Sequence, residues 1–213
     1  MMGLFLFRTK KSIRSLLLRG GGLFFGGLLL NIGLNAHLFI RIGRGDIELN
    51  PWAYVFGVDI LFLAGMSVVF IALLHPLLKR FFPLALMMAF GCSSFTLLVP
   101  DSVSPAWQFP TAFLWGKTSW SYFPLVPWLS WPLFGYFLGA VLEKQFPLRI
   151  RVVGACASLF VVVLLFPMGF RMSVDLPEYY HHGPLYFLWG SCFVIVLMGL
   201  FFLMDRLPGL SFL

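Results

Sequence analysis

Long apolar stretches, each about the length of a helix that crosses a bilayer, alternate with short polar breaks along the 213-residue chain. A hydrocarbon core about 30 Å thick takes about 20 consecutive helical residues. Six stretches reach that length: 15–40, 52–74, 81–99, 123–142, 152–170 and 185–204. The pattern predicts an all-α, polytopic membrane helix bundle, a single transmembrane domain over 1–213 with about six transmembrane helices. Gly20, Gly21 and Gly22 are expected to break the first span near its start. Pro124, Pro127 and Pro132 are expected to kink the fourth, or to make it begin as a re-entrant piece. The longest break, 101–122, holds Trp107, Trp115, Trp120 and Tyr122, and such rings favour the headgroup level. This outer interfacial loop either folds back over an external cavity or serves as a membrane anchor.

Composition removes the other classes. Hydrophobic residues make up 60% and charged ones 11%, with mean hydropathy +0.93. Soluble domains carry roughly 45–50% apolar and about 25% charged residues, so a soluble chain of this length could not keep its surface wet. The 26 Phe and 7 Trp equally exclude a disordered chain. Net charge is +7, which on a soluble protein would point to nucleic acid. Its distribution gives another reading. Eleven of the 15 Lys and Arg fall on the side that holds both ends of the chain, and Arg41, Arg44, Lys117 and Arg171 fall on the other. The positive-inside bias puts both termini in the cytoplasm, with the lipid bilayer as partner and no nucleic acid. An integral protein of the bacterial inner (cytoplasmic) membrane is expected. Met1–Phe7 precedes the basic cluster, the reverse of a cleavable signal.

Few residues offer chemistry. Asp59 lies about eight residues into the second stretch, roughly 12 Å below its outer end at helical rise. A carboxylate at such depth is costly unless it faces a polar interior. Asn31 and Asn35, one turn apart in the first stretch, lie at comparable depth and share a face. The three form a polar cluster, which is either part of a substrate cavity or interhelical hydrogen bonding that fixes packing. His37 ends the first stretch, His75 is expected in water at the inner end of the second, and His181 and His182 adjoin in the last outer loop. Adjacent histidines point apart and make a poor metal site alone. Cys92, Cys156 and Cys192 have no metal-ligand spacing and are expected to be small packing residues, so no metal site is predicted. Gly22 and Gly26 have the small-residue spacing of packed membrane helices, and packing within this bundle is expected.

The segment Ser121-Tyr122-Phe123-Pro124-Leu125-Val126-Pro127-Trp128-Leu129, followed by Gly135 and Gly139, resembles a signature of the heparan-α-glucosaminide N-acetyltransferase-like membrane acyltransferases. Val58-Asp59-Ile60-Leu61, with Leu63-Ala64-Gly65 after it, is similar to a second family helix, with Phe62 in place of its Gln. The basic, Gly/Leu-rich run Arg14–Asn31 is a third likeness. The resemblance implies transfer of an acyl group, typically acetyl from acetyl-CoA, to a saccharide such as an amino sugar. Acyl-CoA would be a co-substrate, with no bound cofactor. With the polar cluster, the Ser121–Leu129 segment makes Asn31, Asn35, Asp59, Tyr122 and Trp128 the candidate substrate-binding set. The family's Asp-x-x-Arg-Gly motif and its catalytic histidine have no counterpart in these residues, and His37 is the sole stand-in. The chain is therefore expected to be a fragment or a reduced, non-catalytic form of such an enzyme. The alternative is an accessory subunit of a membrane protein complex.

Overall fold

The structure, a computed structural model, describes residues 2–9, 11–99, 107–116, 118, 120–144 and 146–204. Those residues are helical and irregular, with an isolated parallel bridge between Val58 and Ser121. The chain divides into two compact units, Met1–Gly139 and Ala140–Leu213.

In the first unit, α1 (Met2–Arg8) precedes α2 (Ile13–Leu34) and α3 (Ala36–Gly43). The Ser12 side chain caps α2 by accepting from the Ser15 N–H at 3.3 Å. The helix runs unbroken through Gly20, Gly21 and Gly22, contrary to the sequence expectation. Glycine costs about 1 kcal/mol per position in an exposed helix, but in lipid only a helix satisfies the backbone within one segment. The break falls at Asn35 instead.

The short α4 (Pro51–Val55) and a non-helical link lead to α5 (Ile60–Arg80), which Asp59 caps. The second span therefore starts at residue 60 rather than 52. Asp59 stands at the mouth of its helix, not two turns inside it, and the depth expected from sequence is corrected accordingly. Next come α6 (Pro83–Phe95), α7 (Gln108–Leu114), α8 (Leu125–Trp128) and α9 (Ser130–Glu143). The fourth span is kinked as expected, since Val126 leaves helical geometry between its prolines.

Close backbone approach holds α2 on α5. A Cβ on Gly65 would sit 2.7 Å from the Gly20 carbonyl oxygen and 2.8 Å from the Phe24 nitrogen. A Cβ on Gly27 would meet side chains instead, Leu61 Cβ at 3.3 Å and the Phe62 ring at 3.5 Å. Gly22 and Gly26 meet nothing within 4 Å, so the packing expected of them within the bundle falls to Gly20, Gly27 and Gly65 instead.

In the second unit, α10 (Leu148–Leu164) meets α11 (Phe166–Val174) at a 64° bend. Pro167 lacks the N–H that would continue the ladder across it. After α12 (Leu176–Tyr180), α13 (Pro184–Met204) packs on α10, with Gly199 against Ala155.

Four helices among the described residues are long and apolar enough to cross a membrane, or five if the bent pair counts as one span. The expected third span is the difference. Its helix, Pro83–Phe95, has 13 residues, about 20 Å at helical rise. Leu18, Leu29, Phe160 and Phe201 lie exposed on the spans, as lipid contact requires. The protein is an integral membrane helix bundle.

Candidate functional site

The non-helical link 56–59 organises the first unit. Non-helical backbone in a packed, apolar setting needs partners for its N–H and C=O groups. Two separated segments supply such partners, and Asp59 caps the helix that follows. From α2, the Asn31 amide donates to the Gly57 carbonyl at 2.8 Å and the Val55 carbonyl at 3.3 Å. From the segment after α7, the Trp120 carbonyl accepts from the Val58 N–H at 3.0 Å, while the Tyr122 and Phe123 N–H groups donate to the Val58 carbonyl at 3.1 and 3.0 Å. From within α5, the Leu61 and Phe62 N–H groups donate to Asp59 Oδ1 at 2.9 and 3.4 Å. A carboxylate there also meets the positive end of the helix dipole.

Aromatic packing seals this junction. Val58 and Phe62 are fully buried with Ala112, and Phe24, Phe113 and Trp120 close around them. Ser121 Oγ donates to the Ala112 carbonyl at 2.6 Å, which ties α7 to the bridge. The described part of the loop between the third and fourth stretches thus folds back as a packed element. Residues 101–106, 117 and 119 of that stretch lie outside the described residues.

Of the residues singled out from sequence, Asn31, Asp59 and Tyr122 meet at this junction, joined through the backbone of 55–59. Asn35 adds a bond from its amide to the Asn31 carbonyl at 2.9 Å. Asn31 is buried, Asn35 and Asp59 are half-buried, and Tyr122 is exposed. Trp128 lies half-buried on α8, edge-on to Phe123 with ring centres 4.8 Å apart. His37 is exposed on α3 and enters none of these hydrogen bonds.

A separate cavity of about 310 Å³ lies between α2 and α5, lined by Gly20, Phe24, Gly65, Met66, Val69 and Leu125 among others. Its walls are apolar, and none of the predicted site residues lines it.

Sequence reasoning misplaced His75. It is half-buried, not in water, and its Nδ1 lies 3.0 Å from the hydroxyl of the fully buried Tyr136. No local pattern links two residues so far apart in the chain. A histidine inside the apolar run was the sole signal. In the second unit, His182 is fully buried, its Nδ1 3.1 Å from the Tyr179 carbonyl and its ring beside Tyr186. Burial pushes its pKa down from 6.5 to about 4, so the imidazole is neutral. No group of three His, Cys, Asp or Glu side chains that could hold a metal occurs among the described residues.

A family model described as heparan-alpha-glucosaminide N-acetyltransferase, catalytic, matches residues 2–184. No curated protein and no solved structure matches the chain. The match takes in Asn31, the Val58-Asp59 link and the Tyr122–Trp128 segment, all three of the stretches that carried the resemblance.

Proposed function

Because this chain belongs to the heparan-alpha-glucosaminide N-acetyltransferase family, we propose that it serves acyl transfer from acyl-CoA to a saccharide by binding rather than by proton transfer. The saccharide sits at the outer junction, against the exposed Tyr122 ring and Trp128, with the Asp59 and Asn35 side chains as hydrogen-bonding partners. Acetyl-CoA comes from the side rich in Lys and Arg. One observation carries this reading: the family's motif segments, far apart in sequence, are drawn together by the hydrogen bonds of the 55–59 link. An exposed and a half-buried aromatic ring beside a few fixed polar groups suit a sugar.

The helix-capping bonds of Asp59 Oδ1 and the exposure of His37 support a binding role for these residues. A general base must come within about 3 Å of the acceptor. His37 is exposed on α3, and Asp59 Oδ1 is engaged by its own helix. The proposal includes six crossings, with 83–95 as a short one, both termini in the cytoplasm, and the bacterial inner membrane as the location. The asymmetry of the Lys and Arg residues supports that topology. A second reading, an accessory subunit of a membrane complex, draws support from the open glycine face of α2 at Gly22, Gly26 and Gly33.

Equilibrium binding of a glucosamine-ended saccharide to the chain in lipid nanodiscs tests the first reading. Tyr122→Ala and Trp128→Ala are each expected to weaken binding roughly tenfold, the loss of about 1.4 kcal/mol. Absence of saccharide binding by the wild type would favour the accessory reading instead.

A further inference from the structure

His75 and Tyr136 pair in a part of the first unit that the junction does not use. The Tyr136 hydroxyl oxygen lies 3.0 Å from Nδ1 of His75 and has no other acceptor among the described residues, and we assign it as the donor of that bond. The ring proton of the neutral imidazole then resides on Nε2, which meets no hydrogen-bonding partner among the described residues. Tyr136 is itself immobilised. Phe7 of α1 lies edge-on to it at 5.2 Å, and the His75 ring packs against it at 5.8 Å. A Cβ on Gly3 would collide with the Pro132 carbonyl and approach the Tyr136 nitrogen, so α1 presses directly on this stretch. With that assignment, Tyr136 orients His75 with an N–H donor at Nε2 near the end of α5.

Its surroundings are cationic. Lys79 lies one turn along the same face of α5, and Arg80 follows as the last residue of the helix. Both side chains are exposed, as is Arg8 at the end of α1. Lys79 contributes a point charge with three donors, and His75 contributes one directed neutral donor. Donors and positive charge at this spacing, with no carboxylate on the last two turns of α5, match a phosphate group.

We propose that His75, oriented by Tyr136, and Lys79 form a phosphate-binding site at the basic end of α5. The phosphate belongs to either of two sources, the diphosphate of a CoA ester or the headgroup of an anionic lipid. The first source rests on the acyl-transfer reading above and supplies its donor subsite. The second does not depend on it.

The test uses the full chain in nanodiscs of phosphatidylcholine, titrated with CoA and with pantetheine, which lacks the diphosphate. A parallel set of nanodiscs contains phosphatidylglycerol, and its headgroup is followed by phosphorus NMR. CoA should bind and pantetheine should not. His75→Ala and Lys79→Ala should each weaken CoA binding roughly fivefold to tenfold, the scale of one hydrogen bond or one exposed charge contact. His75→Gln keeps an N–H donor and should recover most of the loss. Tyr136→Phe should reproduce the His75→Ala loss and shift the ring nitrogen signals of His75 towards the other tautomer, a change that a purely structural tyrosine would not cause. Thermal unfolding of each variant verifies that it is folded. Failure of CoA to bind, together with a phosphatidylglycerol signal that His75→Ala abolishes, would keep the site and assign it to lipid, removing the donor-side support for acyl transfer. Neither ligand responding to His75 or Lys79 would overturn the proposal and leave the saccharide reading to its own test.

Discussion

Replacing Asn31 tests whether the 55–59 link depends on the side chain that reaches it from α2. Asn31 is 8% exposed and donates to two backbone carbonyls, Gly57 at 2.8 Å and Val55 at 3.3 Å. Each such bond is worth about 1 kcal/mol net, and each buried acceptor left bare costs about 1–3 kcal/mol. Asn31→Ala should therefore cost about 2–5 kcal/mol. Asn31→Asp keeps the shape but has no N–H, and it faces the same carbonyl oxygens with a buried carboxylate, so it should cost at least as much at pH 7. Protonation would restore one donor, and the Asp variant should recover part of its stability as the pH falls. Asn35→Ala is the control. Its amide adds one bond to an Asn31 carbonyl that already accepts the Asn35 backbone N–H at 3.1 Å, so it should cost about 1 kcal/mol or less. Chemical unfolding in detergent micelles, followed by Trp fluorescence, gives the free energies. An Asn31→Asp protein as stable as the wild type at pH 7, or equal losses for Asn31→Ala and Asn35→Ala, would refute the reasoning.

Asp59→Asn should be well tolerated, since Asn caps as well as Asp, whereas Asp59→Ala should cost about 1 kcal/mol in the same unfolding experiment. If Asp59 also holds saccharide through its charge, the Asn variant should fold normally yet lose binding. Gly65→Val should destabilise by about 1–3 kcal/mol, because the Cβ would meet the Gly20 and Phe24 backbone; Gly22→Ala, in open space, should leave the thermal midpoint unchanged or raise it. His182 is buried neutral with its pKa lowered from 6.5 to about 4. The unfolded chain therefore takes up a proton that the native one refuses, and stability present above pH 6.5 is lost as pH falls towards 4, by about 3 kcal/mol in all. Unfolding curves at pH 7.5 and 5 should show this slope, and His182→Gln should flatten it. Cysteine-accessibility labelling should place Ser173 outside and Lys144 inside, and labelling of both from one side would contradict the six-crossing topology.

Uninterrupted apolar runs made the fourth and sixth spans legible in the sequence, since length and hydropathy alone define them. The second span was misplaced because Trp52, Tyr54, Val55 and Phe56 are as apolar as any helix interior, although they form α4 and an aromatic cover. The Asp59 side chain before a long apolar run was the readable sign of a helix start, as N-cap chemistry predicts. The first span was carried too far for a related reason: hydropathy passes smoothly over Asn35, where hydrogen bonding changes. The candidate site was only half legible. Asn31 and Asn35 share a face because helical spacing says so, but the parallel bridge from Val58 to Ser121 and the pairing of His75 with Tyr136 join residues with no local pattern between them. Such contacts are set by tertiary packing, and only the coordinates display them.

The central claim is that the junction binds substrate without supplying the proton carrier for transfer. Acyl transfer by the purified chain in lipid, from radiolabelled acetyl-CoA to a panel of amino sugars and alongside a His37→Ala variant, tests it most directly. The account predicts ligand binding with no transfer above the uncatalysed rate, since it assigns the junction residues to binding and not to the general acid–base help that is worth about 10²–10⁴-fold. Robust transfer by the wild type that His37→Ala abolishes would contradict it and make His37 the base.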